Sequence, residues 1–270
     1  MSVSMDQVLD DLTAETGVLA ELVAGLDDTA ISAPTPAVGW SIRDQLTHLA
    51  FFDETATQAA VDPAAFRRHA DALIAGGMDF PDRIAAEHAH LSADEVRAWL
   101  TRARAGLVTV FRDLAPKTRL PWYGPDMSAM SSVTARLMET WAHGQDVADA
   151  LGKQREPTDR LRHIAHLGVR TTGFSFALHG RPAPTEPIRV EIDAPSCARW
   201  TWGPADARDR VSGSALDFCL VVTQRRHLDD TQLTVTGPVA AEWLSIAQTF
   251  AGAPGTGRAP GLVTSRGGTS

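Results

Sequence analysis

The sequence predicts an α+β protein, a helical bundle followed by a smaller module of helix and strand, and three features of the 270-residue chain point to it. Apolar residues recur at three- and four-residue steps through the first 180 positions, the period of helices with one core-facing side. After Pro187 the rhythm changes, and Ile188, Val190 and Ile192 alternate with polar residues as in a half-buried strand. With 44% hydrophobic and 21% charged residues, the chain can bury a sizeable core and lacks the composition of a disordered one.

Val8, Leu9, Leu12, Val18, Leu19, Leu22, Val23 and Leu26 mark a first helix, closed by the prolines of Ala33-Pro-Thr-Pro36. Ser41, with Asp44 three positions on, makes a capping-box arrangement that opens a second helix running to about Val61. Asp62-Pro63 supplies a further cap with proline in the first turn. Ser92-Ala-Asp-Glu95 starts a third long helix ending before Pro116; a fourth begins near Ser131 and ends at Gly152; a fifth spans 158–179. Beyond it, residues 187–193 read as a strand with 199–202 as its hairpin partner. Residues 212–227 read as an apolar helix, 231–236 as another strand and 238–250 as a closing helix. The expected domains are therefore a helical bundle over 1–155 and an α+β domain over 156–255, followed by a Gly-, Pro-, Ser- and Thr-rich tail over 256–270, expected to be flexible.

The 25 basic and 33 acidic residues sum to −8, with no lysine- or arginine-dense run. That balance argues against nucleic-acid binding through a basic stripe and against docking on an anionic membrane. No stretch approaches 18 apolar residues, and the acidic N-terminus does not resemble a signal peptide. Cys197 and Cys219 make neither a zinc cluster nor a disulfide framework. The expectation is a cytoplasmic protein that handles a small molecule, with neither nucleic acid nor membrane as partner. Asparagine is absent and lysine occurs only at 117 and 153, a bias toward arginine that fits a high-GC genome.

Among nine histidines, His143 stands four residues after Glu139, which puts the two side chains on one helix face. Such a pair can hold a divalent metal or form a simple ion pair. His48, flanked by apolar residues on another bundle helix, is the best third ligand. Two imidazoles and one carboxylate leave a fourth position open, as in a catalytic zinc site, although iron, nickel and manganese suit the same donors. His163 and His166 form the rival pair without an evident carboxylate, and His88 and His90 read as solvated. Asp44, Gln45 and Asp146 are candidates for orienting the ligand histidines.

Gly39-Trp-Ser-Ile-Arg-Asp-Gln-Leu-Thr-His48-Leu, followed by Glu139-Thr-Trp-Ala-His143-Gly-Gln-Asp-Val, resembles the DinB-like metal-binding superfamily. Within it the chain resembles the mycothiol-dependent maleylpyruvate isomerase group. The stretch 136–152, Pro121-Trp-Tyr-Gly-Pro125 and the stretch 243–252 are similar to an uncharacterised actinobacterial metal-binding subfamily. The resemblance covers essentially the whole chain. It implies a four-helix bundle holding Zn2+, or another divalent metal, through His48, Glu139 and His143. It also implies a C-terminal sterol-carrier-like α/β domain, mycothiol as a cofactor, and an assisting arginine from that second domain, with Arg225 and Arg226 in the matching region.

The chemistry that follows is an isomerase or transferase in which a metal-activated thiol attacks a small electrophilic substrate and an arginine stabilises negative charge. Cys219, inside an apolar run, and Cys197, with no histidine neighbour in sequence, are poor nucleophiles, so the thiol is external. Tyr123, the one tyrosine, stands in the Pro/Gly-bounded loop before the Glu139 helix, where its hydroxyl can donate to substrate. The competing readings are a thiol-independent metal-dependent hydrolase or cyclase, and a non-enzymatic metal- or small-ligand-binding protein.

Overall fold

The computed structural model describes residues 3–261 and divides the chain into two compact units, the first ending at Gln154 and the second beginning at Arg155. The first unit contains α1 (Met5–Val23), α2 (Ile42–Val61), α3 (Pro63–Ala75), α4 (Phe80–Glu87), α5 (Ala93–Arg112) and α6 (Ala129–Ala150). Helix α2 packs on α5 and α6, and α1 packs on the same two, which closes a four-helix ring. Helices α3 and α4 lie against α2. A two-residue hairpin, β1 (Arg119–Leu120) with β2 (Met127–Ser128), leads into α6.

The caps read from sequence form. The Ser41 hydroxyl accepts from the backbone N–H of Asp44, whose carboxylate accepts from the N–H of Ser41, and Ser92 and Glu95 repeat the exchange on α5. These reciprocal bonds satisfy donors that a helix start otherwise leaves open. The core between α1, α2 and α5 is aliphatic, with Leu19, Ile42, Leu46, Leu49 and Val96 almost fully buried. A second, aromatic cluster gathers Phe52, Phe80, Trp122 and Tyr123 beside it.

One polar interaction runs through this apolar interior. Arg104 on α5 donates from Nε to Asp53 Oδ2 on α2 (2.6 Å), from Nη1 to the Thr16 hydroxyl on α1 (2.5 Å) and from Nη2 to the Thr140 hydroxyl on α6 (2.9 Å). Arg104 and Asp53 are both buried. One side chain thus touches all three other helices of the ring.

The second unit carries a four-stranded mixed sheet in the order β4-β3-β5-β6. The strands are β3 (Ile188–Asp193), β4 (Arg199–Trp202), β5 (Asp209–Ser214) and β6 (Thr234–Thr236); β3 and β5 are parallel, the outer pairs antiparallel. Its helices are α7 (Leu161–Arg170), α8 (Thr172–Leu178), α9 (Ala215–Val222) and α10 (Pro238–Ile246). Gly168 lets α7 approach α9, since a Cβ there would lie 2.8 Å from a Val222 methyl. No helix among the described residues is long and apolar enough to cross a membrane.

The structure corrects several boundaries. The expected fifth helix is two, α7 and α8, broken at Thr171 and Thr172, whose hydroxyls bond to the carbonyls of Leu167, Gly168 and Val169 and compete with the helical ladder. Residues 212–214 belong to β5, a strand the alternation rule misses because Val211 is its one large apolar residue; the helix starts only after Ser214, which caps it through Asp217. That helix stops at Val222 rather than 227, and β6 and α10 are shorter than expected. Helix α4 is an addition. Of the tail expected over 256–270, residues 262–270 lie outside the described residues.

Replacing Arg104 with methionine leaves the Asp53 carboxylate buried without its partner and is expected to lower stability by about 3–5 kcal/mol. The double variant Arg104→Met with Asp53→Leu recovers most of this loss in urea unfolding, a coupling that a solvated surface pair would not show.

Candidate metal centre

Helix α6 presents Arg136, Glu139 and His143 along one face, at spacings of three and four, and α2 presents His48 and Phe52 in the same way. Where α2 meets α6 the structure brings His48, Glu139 and His143 together, with one ligand atom from each within 4.8 Å of the others. Glu139 Oε2 stands 3.0 Å from His143 Nε2 and 3.6 Å from His48 Nε2. Both nitrogens of His48 are buried and have no hydrogen-bond partner among the described residues.

These spacings fit a cation. Bonds of about 2.0–2.1 Å in a tetrahedron set neighbouring ligand atoms about 3.3 Å apart. Gln45 supplies the orientation: its side-chain oxygen bonds His143 Nδ1, and its amide nitrogen donates to the Thr35 hydroxyl at 2.8 Å. With Nδ1 engaged by that oxygen, the ring is turned so that Nε2 faces Glu139 and His48. Of the three orienting candidates, Gln45 touches a ligand histidine, whereas Asp44 caps α2 through Ser41 and Asp146 is buried on α6.

Aromatic rings enclose the cluster. Trp40 stacks on His143 with ring centres 5.8 Å apart and lies 5.3 Å from His48, and its indole N–H is anchored to Asp82 at 2.7 Å. Phe52 lies 4.5 Å from His48. Burial and repulsion from His143 push His48 down to about 4, against the pull of the Glu139 carboxylate, so the imidazole is neutral at pH 7. Burial raises the Glu139 carboxyl, but the neighbouring His143, His48 and Arg136 more than reverse it and hold the group well below the usual carboxylate range.

Tyr123 lies on the connection between β1 and β2, its ring 5.5 Å from that of Phe52, which also contacts His48. Burial pushes its hydroxyl up to about 12 despite nearby Thr55 and Arg136, so it is a proton donor at pH 7 and not a base. Arg225 and Arg226 belong to the second unit. They do not end a helix over 212–227 but lie beyond its C-cap, where Gln224 takes φ 60° and both arginine N–H groups return to the Leu220 carbonyl. Arg225 donates to the Thr223 carbonyl at 2.7 Å and lies 5.9 Å from the Phe250 ring. The rival His166 accepts from the Trp202 indole instead of sharing a ligand set with His163. Cys219 is buried, and burial raises its thiol well above the ordinary value.

Sequence reasoning missed Arg136 and Trp40. The stripe 136/139/143 was readable, since it follows the i, i+3, i+7 spacing of one helix face.

Because His48 is held below its unfolded value of about 6.5, the metal-free fold loses stability as pH falls from about 6.5 toward 4, where the unfolded chain binds the proton more readily. His48→Gln is expected to flatten this slope by up to about 3 kcal/mol in denaturant titrations across that window. An unchanged slope would show that His48 is not the group being charged.

A family model described as the mycothiol maleylpyruvate isomerase N-terminal domain matches residues 12–148, half of the chain and all three residues of the cluster. A second model, described as wyosine base formation, matches residues 184–236. Uncharacterized proteins from two strains of Mycobacterium tuberculosis are each 47% identical over 248 residues, covering 92% of this chain and 96% of theirs. Crystal structures of the mycothiol-dependent maleylpyruvate isomerase and of a histidine-to-alanine mutant of it share the fold. Each has a TM-score of 0.55 at 17% identity, over 83% of this chain and 90% of theirs. The chain belongs to the family of the mycothiol maleylpyruvate isomerase N-terminal domain, a DinB-like helical bundle here joined to a smaller C-terminal α/β domain.

Proposed function

We propose that this protein is a divalent-metal enzyme, an isomerase or thiol transferase that uses mycothiol to attack a small electrophilic substrate. His48, Glu139 and His143 are the ligands in this reading, and the spacing of their donor atoms is the observation that carries it. Zinc, or a similar ion, when bound by these three would keep a fourth position for a thiol and stabilise its thiolate near neutral pH.

The chain's own residues have separable tasks. His48 and His143 would offer uncharged ligand nitrogens to a bound ion, and Glu139 one negative charge, so a divalent ion would retain net positive charge that favours an anionic ligand. Gln45 fixes the His143 tautomer. Trp40 and Phe52 keep water from the cluster, which strengthens every charge interaction within it. Tyr123 keeps its proton and can donate to a substrate oxygen. Arg225 or Arg226 is proposed to stabilise negative charge developing on the substrate. Addition followed by expulsion of the thiol gives isomerisation; retention of the thiol gives transfer. Both cysteines of the chain are free and one is buried, which suits an external thiol and a reducing, cytoplasmic setting.

Metal analysis of protein purified without chelator is expected to find about one divalent ion per chain, lost in His48→Ala and His143→Ala. Gln45→Ala should weaken metal affinity about 10- to 100-fold while leaving the three ligands in place. Calorimetric titration of mycothiol into the metal-loaded chain should saturate. Absence of binding at millimolar thiol replaces the thiol reading with a thiol-independent hydrolase or cyclase. A chain that neither carries nor takes up a divalent ion overturns the metal centre, and small-ligand binding without turnover would leave a binding protein.

A further inference from the structure

The first unit buries two arginines on the inner faces of its helices, and they are treated differently. Arg104 spends Nε, Nη1 and Nη2 on three partners. Arg136, 4% exposed, has a buried Nη1 with no hydrogen-bond partner, and its Nη2 is 3.8 Å from Glu139 Oε1, too far for a hydrogen bond. Its guanidinium lies 5.6 Å from the ring centres of both Phe52 and Trp122. In the same aromatic cluster the Tyr123 hydroxyl is also buried without a partner, its ring 5.5 Å from Phe52 and 5.2 Å from Trp122. Two buried donors with open valences, side by side and backed by aromatic walls, are costly to leave without a partner.

We propose that Arg136 and Tyr123 form a carboxylate-binding subsite beside the metal centre, which selects substrates carrying an anionic group on an apolar or aromatic body. The proposal takes only its location from the metal reading. Charge accounting points the same way: Glu139 is the one carboxylate near Arg136 in the cluster, and a cation held by Glu139 competes with the guanidinium for that charge. A carboxylate accepts a charge-assisted bond from Nη1 and a second from the tyrosine hydroxyl, while Phe52 and Trp122 receive the apolar body. Trp122 and Tyr123 belong to the six-residue connection 121–126, held at its base by two residue pairs, so a ligand displaces side chains of a short loop and not of a helix.

The experiment compares benzoate with its neutral isostere benzamide by calorimetry, using the full chain both zinc-loaded and metal-stripped. Wild type should bind benzoate about 10- to 100-fold more tightly than benzamide. Arg136→Gln should reduce the preference to about threefold or less with zinc stoichiometry unchanged, and Arg136→Lys should keep part of it. Tyr123→Phe should weaken benzoate alone, by about three- to tenfold. No preference in wild type overturns the subsite, and that comparison stands even if Arg136→Gln does not fold. A preference that survives Arg136→Gln overturns it too, because the anion then binds elsewhere, on the zinc included. A chain that takes up no zinc yet prefers benzoate through Arg136 refutes the metal reading and leaves the subsite standing.

Discussion

Arg104 places a permanent positive charge where no solvent reaches it, and the bundle is arranged around that demand. Desolvating a guanidinium is tolerable only when each of its nitrogens is engaged and a countercharge lies in contact. Asp53 supplies the countercharge, and the hydroxyls of Thr16 and Thr140 each take a bond from one of the two terminal nitrogens. The apolar contacts of α1, α2, α5 and α6 are non-directional and would accept small slips of one helix along another. The guanidinium is planar and directional, and it permits one alignment.

That alignment matters because the brace and the metal cluster share two helices. Asp53 follows Phe52 on α2, and Thr140 follows Glu139 on α6. A shift of either helix by one residue, about 1.5 Å, would move a ligand atom out of range of its two partners. Gln45 acts on the same problem at the level of a single ring, setting which nitrogen of His143 faces inward. Helix register is thus set by the Arg104 brace and ring orientation by Gln45, and neither residue belongs to the ligand set.

The His48, Glu139 and His143 cluster was readable in the sequence because helical spacing is rigid. Glu139 and His143 must share a face if residues 139–143 are helical, and the capping box at Ser41 placed His48 on a helix as well. What local pattern could not supply was partner identity across the fold. Strand β5 carries little alternation of its own and exists because β3 and β6 flank it. The break at Thr171 depends on hydroxyls choosing carbonyls, which a periodicity count does not weigh. Arg136 reads in sequence like any helical arginine; its burial and its open Nη1 arise only when Phe52 and Trp122 arrive from elsewhere in the chain. Arg225 and Arg226 illustrate the converse error, where an apolar run was extended past the turn that ends it.

The division of the proposed ligands between α2 and α6 has a topological consequence. His48 and Glu139 are separated by 91 positions (139 minus 48), so an ion gripping both ties together the ends of a long loop. A tether of that span removes many conformations from the unfolded chain, much as a disulfide does, though reversibly. Occupancy then becomes a folding variable as well as a chemical one. If the proposed ion binds, thermal resistance of the first unit tracks its free concentration.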